Sequence, residues 1–222
     1  MNRTSVLQII EKEKLIVILR NIPEDFTEAA VDALYEGGVR AFEMAFSADG
    51  RQTDDEILGR IRTLKKNYGE RMAIGVGTVL SPEQVEKAAD AGAEFVVSPD
   101  VNVEVIEKSV QKGLVSAPGA FTPTEAMTAH RAGADYIKVF PNGGMSPEYL
   151  AAMSTPLSHL KFLAVGGVTE KNTVSFFEAG ACGIGVSTGI ISGSILGNRD
   201  FDEIRRRAAN FVKIIKQFSA QK

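Results

Sequence analysis

The stretch Ala-Asp-Tyr-Ile-Lys-Val-Phe-Pro-Asn, residues 134–142, organises the rest of the chain. It is typical of a short apolar β-strand that contains one lysine, and Pro141 ends the strand because proline has no N–H to donate. Strand alternation places Tyr136, Lys138 and Phe140 on one face and the two aliphatic residues between them on the other. Lys138 therefore lies near the C-terminal end of a strand that is otherwise built for burial. An ion pair, a phosphate contact or a nucleophilic amine with a lowered pKa would each explain a lysine there.

A repeated pattern surrounds this stretch, in which a helix ends in glycine and a strand follows at once. The pattern occurs at Gly38, Gly92, Gly113, Gly133 and Gly180, where glycine can adopt the left-handed conformation that turns the chain out of a helix. Strands are predicted at residues 15–19, 39–46, 72–77, 94–97, 114–117, 135–140, 161–165 and 182–186. A helical segment is predicted after each strand, including 24–36, 54–67 and 201–218, and a short helix over 4–13 precedes the first strand. The sequence therefore predicts an α/β protein with one domain, a (β/α)8 TIM barrel over residues 1–222.

The composition excludes several classes of protein. A chain of 222 residues with 44% hydrophobic and 24% charged residues is ordinary for a soluble globular protein. The net charge is -3 and the longest basic cluster is residues 205–207, so no nucleic-acid partner is expected. There is no signal-peptide core, no apolar run of about 18 residues and only one cysteine, Cys182, which favours a cytoplasmic protein with no membrane partner. The two histidines and Cys182 lack the spacing of a metal site, and no metal or other cofactor is expected.

Candidate functional residues follow from the barrel, because its active site lies at the C-terminal ends of the strands. Glu43 and Lys138 both occupy inward-facing positions there, where they could form a mutual ion pair or act as general base and nucleophile. Glycine-containing loops follow the last two strands, at residues 165–169 and 187–189. Such loops can bind phosphate through backbone N–H groups, although the glycines could equally form tight turns only. Residues 142–147 could be a lid or a plain loop.

The ordered motifs resemble those of the 2-keto-3-deoxy-6-phosphogluconate aldolase / 2-keto-4-hydroxyglutarate aldolase family, the small class I aldolases, over residues 15–189. The motifs are Ile18-Leu19-Arg20, Phe42-Glu43-Met44, Gly75-Val76-Gly77-Thr78-Val79-Leu80, Val97-Ser98-Pro99, Ala117-Pro118-Gly119, Ile137-Lys138-Val139-Phe140-Pro141 and Val165-Gly166-Gly167-Val168. The resemblance implies a (β/α)8 barrel, a homotrimer and no metal.

The resemblance also implies roles for individual residues. Lys138 would be the Schiff-base lysine, Glu43 the general acid/base and Thr78 a contact of the pyruvate carboxylate. The other implied substrate contacts are Pro99 and Phe140 in the pocket wall and Gly166, Gly167 and Ser187 in a phosphate site. Ser47 departs from the pattern, since members that cleave phosphogluconate commonly carry an arginine four residues after the glutamate. The branch that acts on the galactonate epimer can carry a small polar residue there, and Arg20 could partly replace the missing arginine.

The implied activity is reversible cleavage of a 2-keto-3-deoxy-6-phospho sugar acid, of the gluconate or galactonate type, to pyruvate and glyceraldehyde 3-phosphate. Cleavage of 4-hydroxy-2-oxoglutarate to pyruvate and glyoxylate is a related expectation. Two alternatives remain open at this stage. One is a sugar-phosphate isomerase or epimerase that uses Glu43 as base and Lys138 as an electrostatic stabiliser. The other is a non-catalytic protein that binds a sugar-acid phosphate.

Overall fold

The computed structural model describes residues 1–141 and 146–220. Within these residues the strands are β1 (Leu15–Leu19), β2 (Ala41–Ala45), β3 (Ala73–Gly77), β4 (Phe95–Val97), β5 (Val115–Ala117), β6 (Gly119–Ala120), β7 (Ile137–Val139), β8 (Phe162–Val165) and β9 (Ala181–Val186). The helices are α1 (Arg3–Glu13), α2 (Glu24–Glu36), α3 (Asp54–Tyr68), α4 (Pro82–Asp90), α5 (Val103–Gln111), α6 (Pro123–Arg131), α7 (Pro147–Ser154), α8 (Thr173–Glu178), α9 (Gly193–Asn198) and α10 (Phe201–Ser219).

The strands form one parallel sheet in the order β5-β4-β3-β2-β1-β9-β8-β7-β6. The two ends of this order are neighbours in the chain, because only Pro118 separates β5 from β6. β5 pairs with β4, β6 pairs with β7, and the backbone N–H of Lys138 donates to the Pro118 carbonyl at 2.9 Å. The sheet therefore closes on itself, and the predicted (β/α)8 barrel is confirmed.

Two predicted strands differ from those observed. The fifth is divided at Pro118, which gives nine strands instead of eight, because proline cannot donate to the ladder and pairing resumes with the other neighbour at Gly119. The predicted strand 135–140 is shorter, since Asp135 and Tyr136 both donate their N–H groups to the Ser116 carbonyl, at 3.0 and 3.1 Å, before the regular ladder begins. The other predicted strands and helices agree with the observed bounds within two residues.

Alternation along the strands separates two apolar clusters. Phe42, Met44, Ile137 and Val139 face outward and pack under the helices. The inward cluster fills the barrel, and its members are Val6, Ile10, Ile16, Ile18, Ala41, Ala73, Phe95, Val97, Val115, Ala117, Tyr136, Leu163 and Val165. Glu43 and Lys138 therefore point into the barrel because their strand neighbours are buried on the outside.

Helix α1 packs against the interior of the barrel. Its N-cap Asn2 accepts a hydrogen bond from the Ser5 N–H at 2.9 Å, and its Val6 and Ile10 side chains belong to the inward cluster. The tight helix-to-strand turns have the expected geometry, because the five glycines of the repeat all have positive φ, from 72° to 102°. These turns allow each strand to begin directly after a helix, so the functional ends of the strands meet at the opposite rim.

Candidate active site

A cavity of about 400 Å³ opens at the C-terminal ends of the strands. It is lined by Ile18, Arg20, Glu43, Lys138, Phe140, Val165, Gly166, Gly167, Val168, Thr169, Gly185, Val186, Ser187, Thr188 and Gly189. Seven of the ten residues singled out in the sequence thus line one cavity, although they come from five segments of the chain. The walls are apolar strand residues and the rim contains the two glycine loops.

Lys138 lies at the base of this cavity and is 5% exposed. Its Nζ lies 4.4 Å from the centre of the Phe140 ring, on the same face of the strand. Burial lowers the pKa of Lys138, and nearby Arg20 lowers it further, while Glu43 and Asp100 act in the opposite direction. A lowered pKa increases the fraction of neutral amine, which is the form that can attack a carbonyl group.

Glu43 is the second ionisable group at the base of the cavity and is 2% exposed. Burial raises its pKa from 4.5 to about 7, although Lys138 and Arg20 partly oppose the change. Its Oε2 atom is buried and has no hydrogen-bond partner among the described residues, and no ion pair joins it to Lys138 there. The geometry does not match the ion-pair alternative raised by the sequence. A carboxyl group that titrates near neutral pH can both accept and donate a proton.

Gly77 explains how the barrel accommodates this carboxyl group. β2 and β3 pair so that Glu43 lies opposite Gly75 and Ala45 opposite Gly77. A Cβ atom added at Gly77 would overlap the Glu43 carboxyl group. Gly77 is thus a packing requirement of the site.

Arg20 lies at the mouth of the cavity, and Thr78 and Ser47 are the two other polar residues proposed from the sequence to bind the keto acid. The Arg20 guanidinium donates to Thr78 Oγ1 at 3.1 Å, and Arg20 is exposed at the mouth of the cavity. Thr78 has φ of 59°, a left-handed conformation that is uncommon for threonine. The Ser47 hydroxyl instead donates to Asp49 at 2.6 Å and lies 3.4 Å from the Asn21 amide oxygen, and it does not line the cavity formed by the described residues.

The two glycine loops form the opposite wall. Gly166 and Gly167 have φ of 94° and 67°, and the backbone N–H groups of Gly167, Val168, Thr188 and Gly189 have no acceptor among the described residues. The Ser187 carbonyl accepts from the N–H groups of Ile190 and Ile191, both at 2.9 Å, while its hydroxyl has no partner in the described part of the chain. Unpartnered N–H and hydroxyl groups around one cavity can bind an anion.

Pro99 is the remaining residue singled out in the sequence, and it is half-buried. A Cβ atom added at Gly119 would overlap the Pro99 carbonyl, so Pro99 packs against the divided fifth strand and does not line the cavity formed by the described residues. The roles assigned to Pro99, Thr78 and Ser47 stay predictions.

Three lining residues were neither proposed as site residues nor part of the glycine loops predicted from the sequence, namely Ile18, Gly185 and Val186. Strand alternation could have found Ile18, which occupies an inward position. Of the possible lid at residues 142–147, residues 142–145 lie outside the described residues.

Two further properties bear on function. The described residues contain no cluster of three or more histidine, cysteine, aspartate or glutamate side chains that could hold a metal ion. None of the helices within residues 1–141 and 146–220 combines the length and the apolar character needed to cross a bilayer.

Comparison with known proteins identifies the family of this chain. The family model for aldolases described as "KDPG and KHG aldolase" matches residues 6–207. The 2-dehydro-3-deoxy-6-phosphogalactonate aldolase of Escherichia coli (strain K12) is 34% identical over 207 residues, which cover 93% of this chain and 96% of that protein.

Two solved structures are similar over most of this chain. One, described as "Native KDPGal structure", has a TM-score of 0.84 at 34% identity and covers 93% of this chain and 96% of its own. The other is a cube-shaped, highly porous protein cage designed by fusing symmetric oligomeric domains, with a TM-score of 0.84 at 35% identity over 95% of this chain and 74% of its own. The resemblance drawn from the sequence motifs is therefore confirmed: the chain belongs to the KDPG and KHG aldolase family and is a carbon–carbon lyase.

Proposed function

We propose that this protein is a Schiff-base aldolase that reversibly cleaves a 2-keto-3-deoxy-6-phospho sugar acid to pyruvate and glyceraldehyde 3-phosphate. The observation that carries the proposal is the pair of buried groups at the base of the cavity. Burial lowers the pKa of Lys138 and raises that of Glu43, so both shifts favour the neutral amine and the protonated carboxyl group that imine formation needs. The lowered pKa of Lys138 favours a nucleophilic amine over an isomerase that uses the lysine only as a positive charge.

The first half of the reaction builds the imine. Neutral Lys138 attacks the C2 ketone of the substrate and forms a carbinolamine. Protonated Glu43 donates its proton to the C2 hydroxyl, which leaves as water, and the product is an iminium ion bonded to Nζ. The Phe140 ring beside Nζ keeps this positively charged intermediate in an apolar, aromatic environment.

The second half breaks the C3–C4 bond. Glu43, now ionised, takes the C4 hydroxyl proton, the aldehyde leaves, and the bond electrons move toward the iminium nitrogen to form an enamine. Glu43 returns the proton to C3, and addition of water to the resulting pyruvate iminium releases pyruvate and regenerates Lys138. One carboxyl group thus acts as acid and base in turn, a role that suits a pKa of about 7.

The two ends of the substrate would be held by different walls. The phosphate would bind to the loops around Gly166, Gly167 and Ser187, where N–H and hydroxyl donors have no partner within residues 1–141 and 146–220. The keto-acid carboxylate would bind at the other rim to Arg20, which Thr78 holds in place. Ser47 does not replace the missing arginine in this arrangement, because its hydroxyl already donates to Asp49 at 2.6 Å.

The galactonate-type substrate fits this arrangement and the phosphogalactonate aldolase named among the relatives. Serine is neutral and binds the keto-acid carboxylate less strongly than an arginine would. The substrate is then held less firmly in one orientation, so we expect both C4 epimers to be cleaved. We also expect 4-hydroxy-2-oxoglutarate to be a poorer substrate, since it lacks the phosphate whose binding would help to orient the reacting carbons.

Borohydride trapping tests the central step. Incubation with pyruvate and borohydride, followed by peptide mass mapping, should place a reduced adduct on Lys138. Lys65 is a suitable control site, since it is paired with Glu94 at 2.5 Å and should stay unmodified. Absence of an adduct on Lys138, or its presence on another lysine, would refute the assignment.

A substrate panel tests the phosphate site. The value of kcat/KM should be higher for the phosphorylated sugar acid than for 4-hydroxy-2-oxoglutarate, and Ser187→Ala should reduce that preference. If both substrates are cleaved equally well and Ser187→Ala has no effect, the glycine loops are turns only.

We further propose that the protein is cytoplasmic, as its single cysteine favours, and that it is a homotrimer, as the resemblance implies. The similarity to a cage component built from symmetric oligomeric domains supports self-association. Light scattering should give about three times the chain mass of 23.9 kDa, and a mass near that of one chain would refute this part of the proposal.

A further inference from the structure

The turn after β8 has an unusual conformation and few backbone contacts. Gly166 and Gly167 both have positive φ, and the N–H groups of Gly167 and Val168 reach no acceptor among the described residues. Two consecutive glycines are conformationally permissive, so such a turn needs another contact to hold it in one form. Our proposed function requires this turn to be ordered, because its N–H groups would bind the substrate's phosphate.

Asn172 supplies that contact. Its Nδ2 donates to the Gly167 carbonyl at 3.0 Å, and its Oδ1 accepts from the Thr169 N–H at 2.7 Å. The two bonds require a donor and an acceptor on one planar group, which asparagine provides. The side chain therefore spans the turn from Gly167 to Thr169.

The position of Asn172 makes this contact notable. Asn172 is the N-cap residue of α8, where an asparagine side chain commonly accepts a hydrogen bond from the first turn of the helix. Here it makes no such bond and reaches back to the preceding turn. The Asn172 side chain therefore does not cap α8, and both of its hydrogen bonds stabilise the turn at residues 167–169.

The two bonds also determine the direction in which the turn's donors point. In a trans peptide the C=O and the following N–H point in opposite directions. Asn172 holds the Gly167 C=O, so the N–H of Val168 is directed away from Asn172. Val168 lines the cavity and Asn172 does not, so this N–H is presented on the cavity side of the turn.

We infer that Asn172 is a positioning residue that holds residues 167–169 in the form that binds the phosphate group of the substrate. It acts through the backbone of Gly167 and Thr169 and does not itself touch the ligand. The inference rests on the proposed function, in which this turn is part of the phosphate site.

The test compares Asn172→Ala with the wild-type protein on phosphorylated and unphosphorylated substrates, with inorganic phosphate as a competitive inhibitor. Loss of two hydrogen bonds should lower kcat/KM for the phosphorylated sugar acid by about tenfold or more. The inhibition constant for phosphate should rise by a similar factor. The value of kcat/KM for 4-hydroxy-2-oxoglutarate and borohydride trapping of pyruvate on Lys138 should stay within about twofold of wild type, a limit well below that tenfold effect.

Two further variants complete the test. Asn172→Asp keeps the acceptor for the Thr169 N–H but loses the donor to Gly167 and adds negative charge, so it should weaken phosphate inhibition at least as much. If the alanine variant does not fold, Asn172→Asp alone tests whether the side chain positions the turn. Asn210→Ala is the control and should leave all constants unchanged, since the side-chain hydrogen bonds of Asn210 among the described residues go to the Glu170 carboxylate alone, at 3.3 and 3.5 Å.

The outcomes separate this inference from the proposed function. Equal losses on both substrates, or an unchanged inhibition constant for phosphate in both Asn172 variants, would overturn the positioning role. If phosphate does not inhibit the wild-type protein and the substrates are not distinguished, the phosphate site and the role of Asn172 both fail. Trapping on Lys138 would still test the aldolase chemistry in that case.

Discussion

Replacing Glu43 with glutamine should stabilise the fold while removing activity. Glu43 is buried, and its Oε2 atom has no hydrogen-bond partner among the described residues. Ionising this carboxyl group in the barrel is therefore unfavourable, and burial raises its pKa from 4.5 to about 7. Glutamine has a similar shape and stays neutral at every pH, so it avoids that cost.

The size and sign of the effect follow from proton linkage. The displacement from 4.5 to about 7 corresponds to about 3 kcal/mol, since one pKa unit is worth about 1.4 kcal/mol. Below pH 4.5 the group is protonated in both the folded and the unfolded states, and its burial has no ionisation cost. Between pH 4.5 and 7 the unfolded state releases its proton first, so the wild-type protein loses stability relative to the variant as the pH rises. The variant's advantage in free energy of unfolding should grow from below about 1 kcal/mol at pH 5 to about 3 kcal/mol at pH 8.

Urea unfolding of both proteins at a series of pH values between 5 and 8 measures this difference. Glu94→Gln is the matched control, because Glu94 is equally buried but accepts hydrogen bonds from Lys65 at 2.5 Å and from the Ile74 N–H at 3.1 Å. That variant should be less stable than wild type at pH 7, since it leaves Lys65 without its charged partner. A difference between Glu43→Gln and wild type that does not change with pH would refute the reasoning.

Three other predictions concern activity. In Glu43→Gln, turnover should fall by about 10²–10⁴-fold while imine formation is partly kept, and a rate near that of wild type would make Glu43 merely structural. The value of kcat/KM should fall as the pH rises through about 7, because Glu43 loses the proton that it donates to the carbinolamine. Arg20→Met should move this midpoint upward, because the guanidinium lowers the pKa of Glu43; an unmoved midpoint would contradict this. Gly77→Ala should lower kcat, because the new Cβ atom would displace the Glu43 carboxyl group. Gly59→Ala is the control, since its new Cβ atom would meet no other atom within 4 Å, and equal rates in the two variants would contradict the packing argument.

Local patterns in the sequence were sufficient for most of the fold. Alternation along residues 135–140 identified which side chains face the barrel interior, because successive residues of a strand point to opposite faces. The glycines that end the helices were equally informative, since the left-handed conformation found at Gly38 and its counterparts has a low cost only for glycine. Glu43 and Lys138 stood out as the lysine and the glutamate at inward positions, the family motifs then implied their roles, and both lie at the base of one cavity.

Features that depend on contacts between distant segments required the tertiary structure. Closure of the barrel divides the fifth strand at Pro118, because its two halves pair with different neighbours. The raised pKa of Glu43 depends on burial by other strands. The two hydrogen bonds from the Asn172 side chain depend on how the turn after β8 folds back toward α8. The sequence by itself determined which residues face the interior, since that is a property of each strand alone. Only the tertiary structure decided which of them meet and how strongly they perturb one another, because desolvation and hydrogen bonding depend on every segment packed around the group.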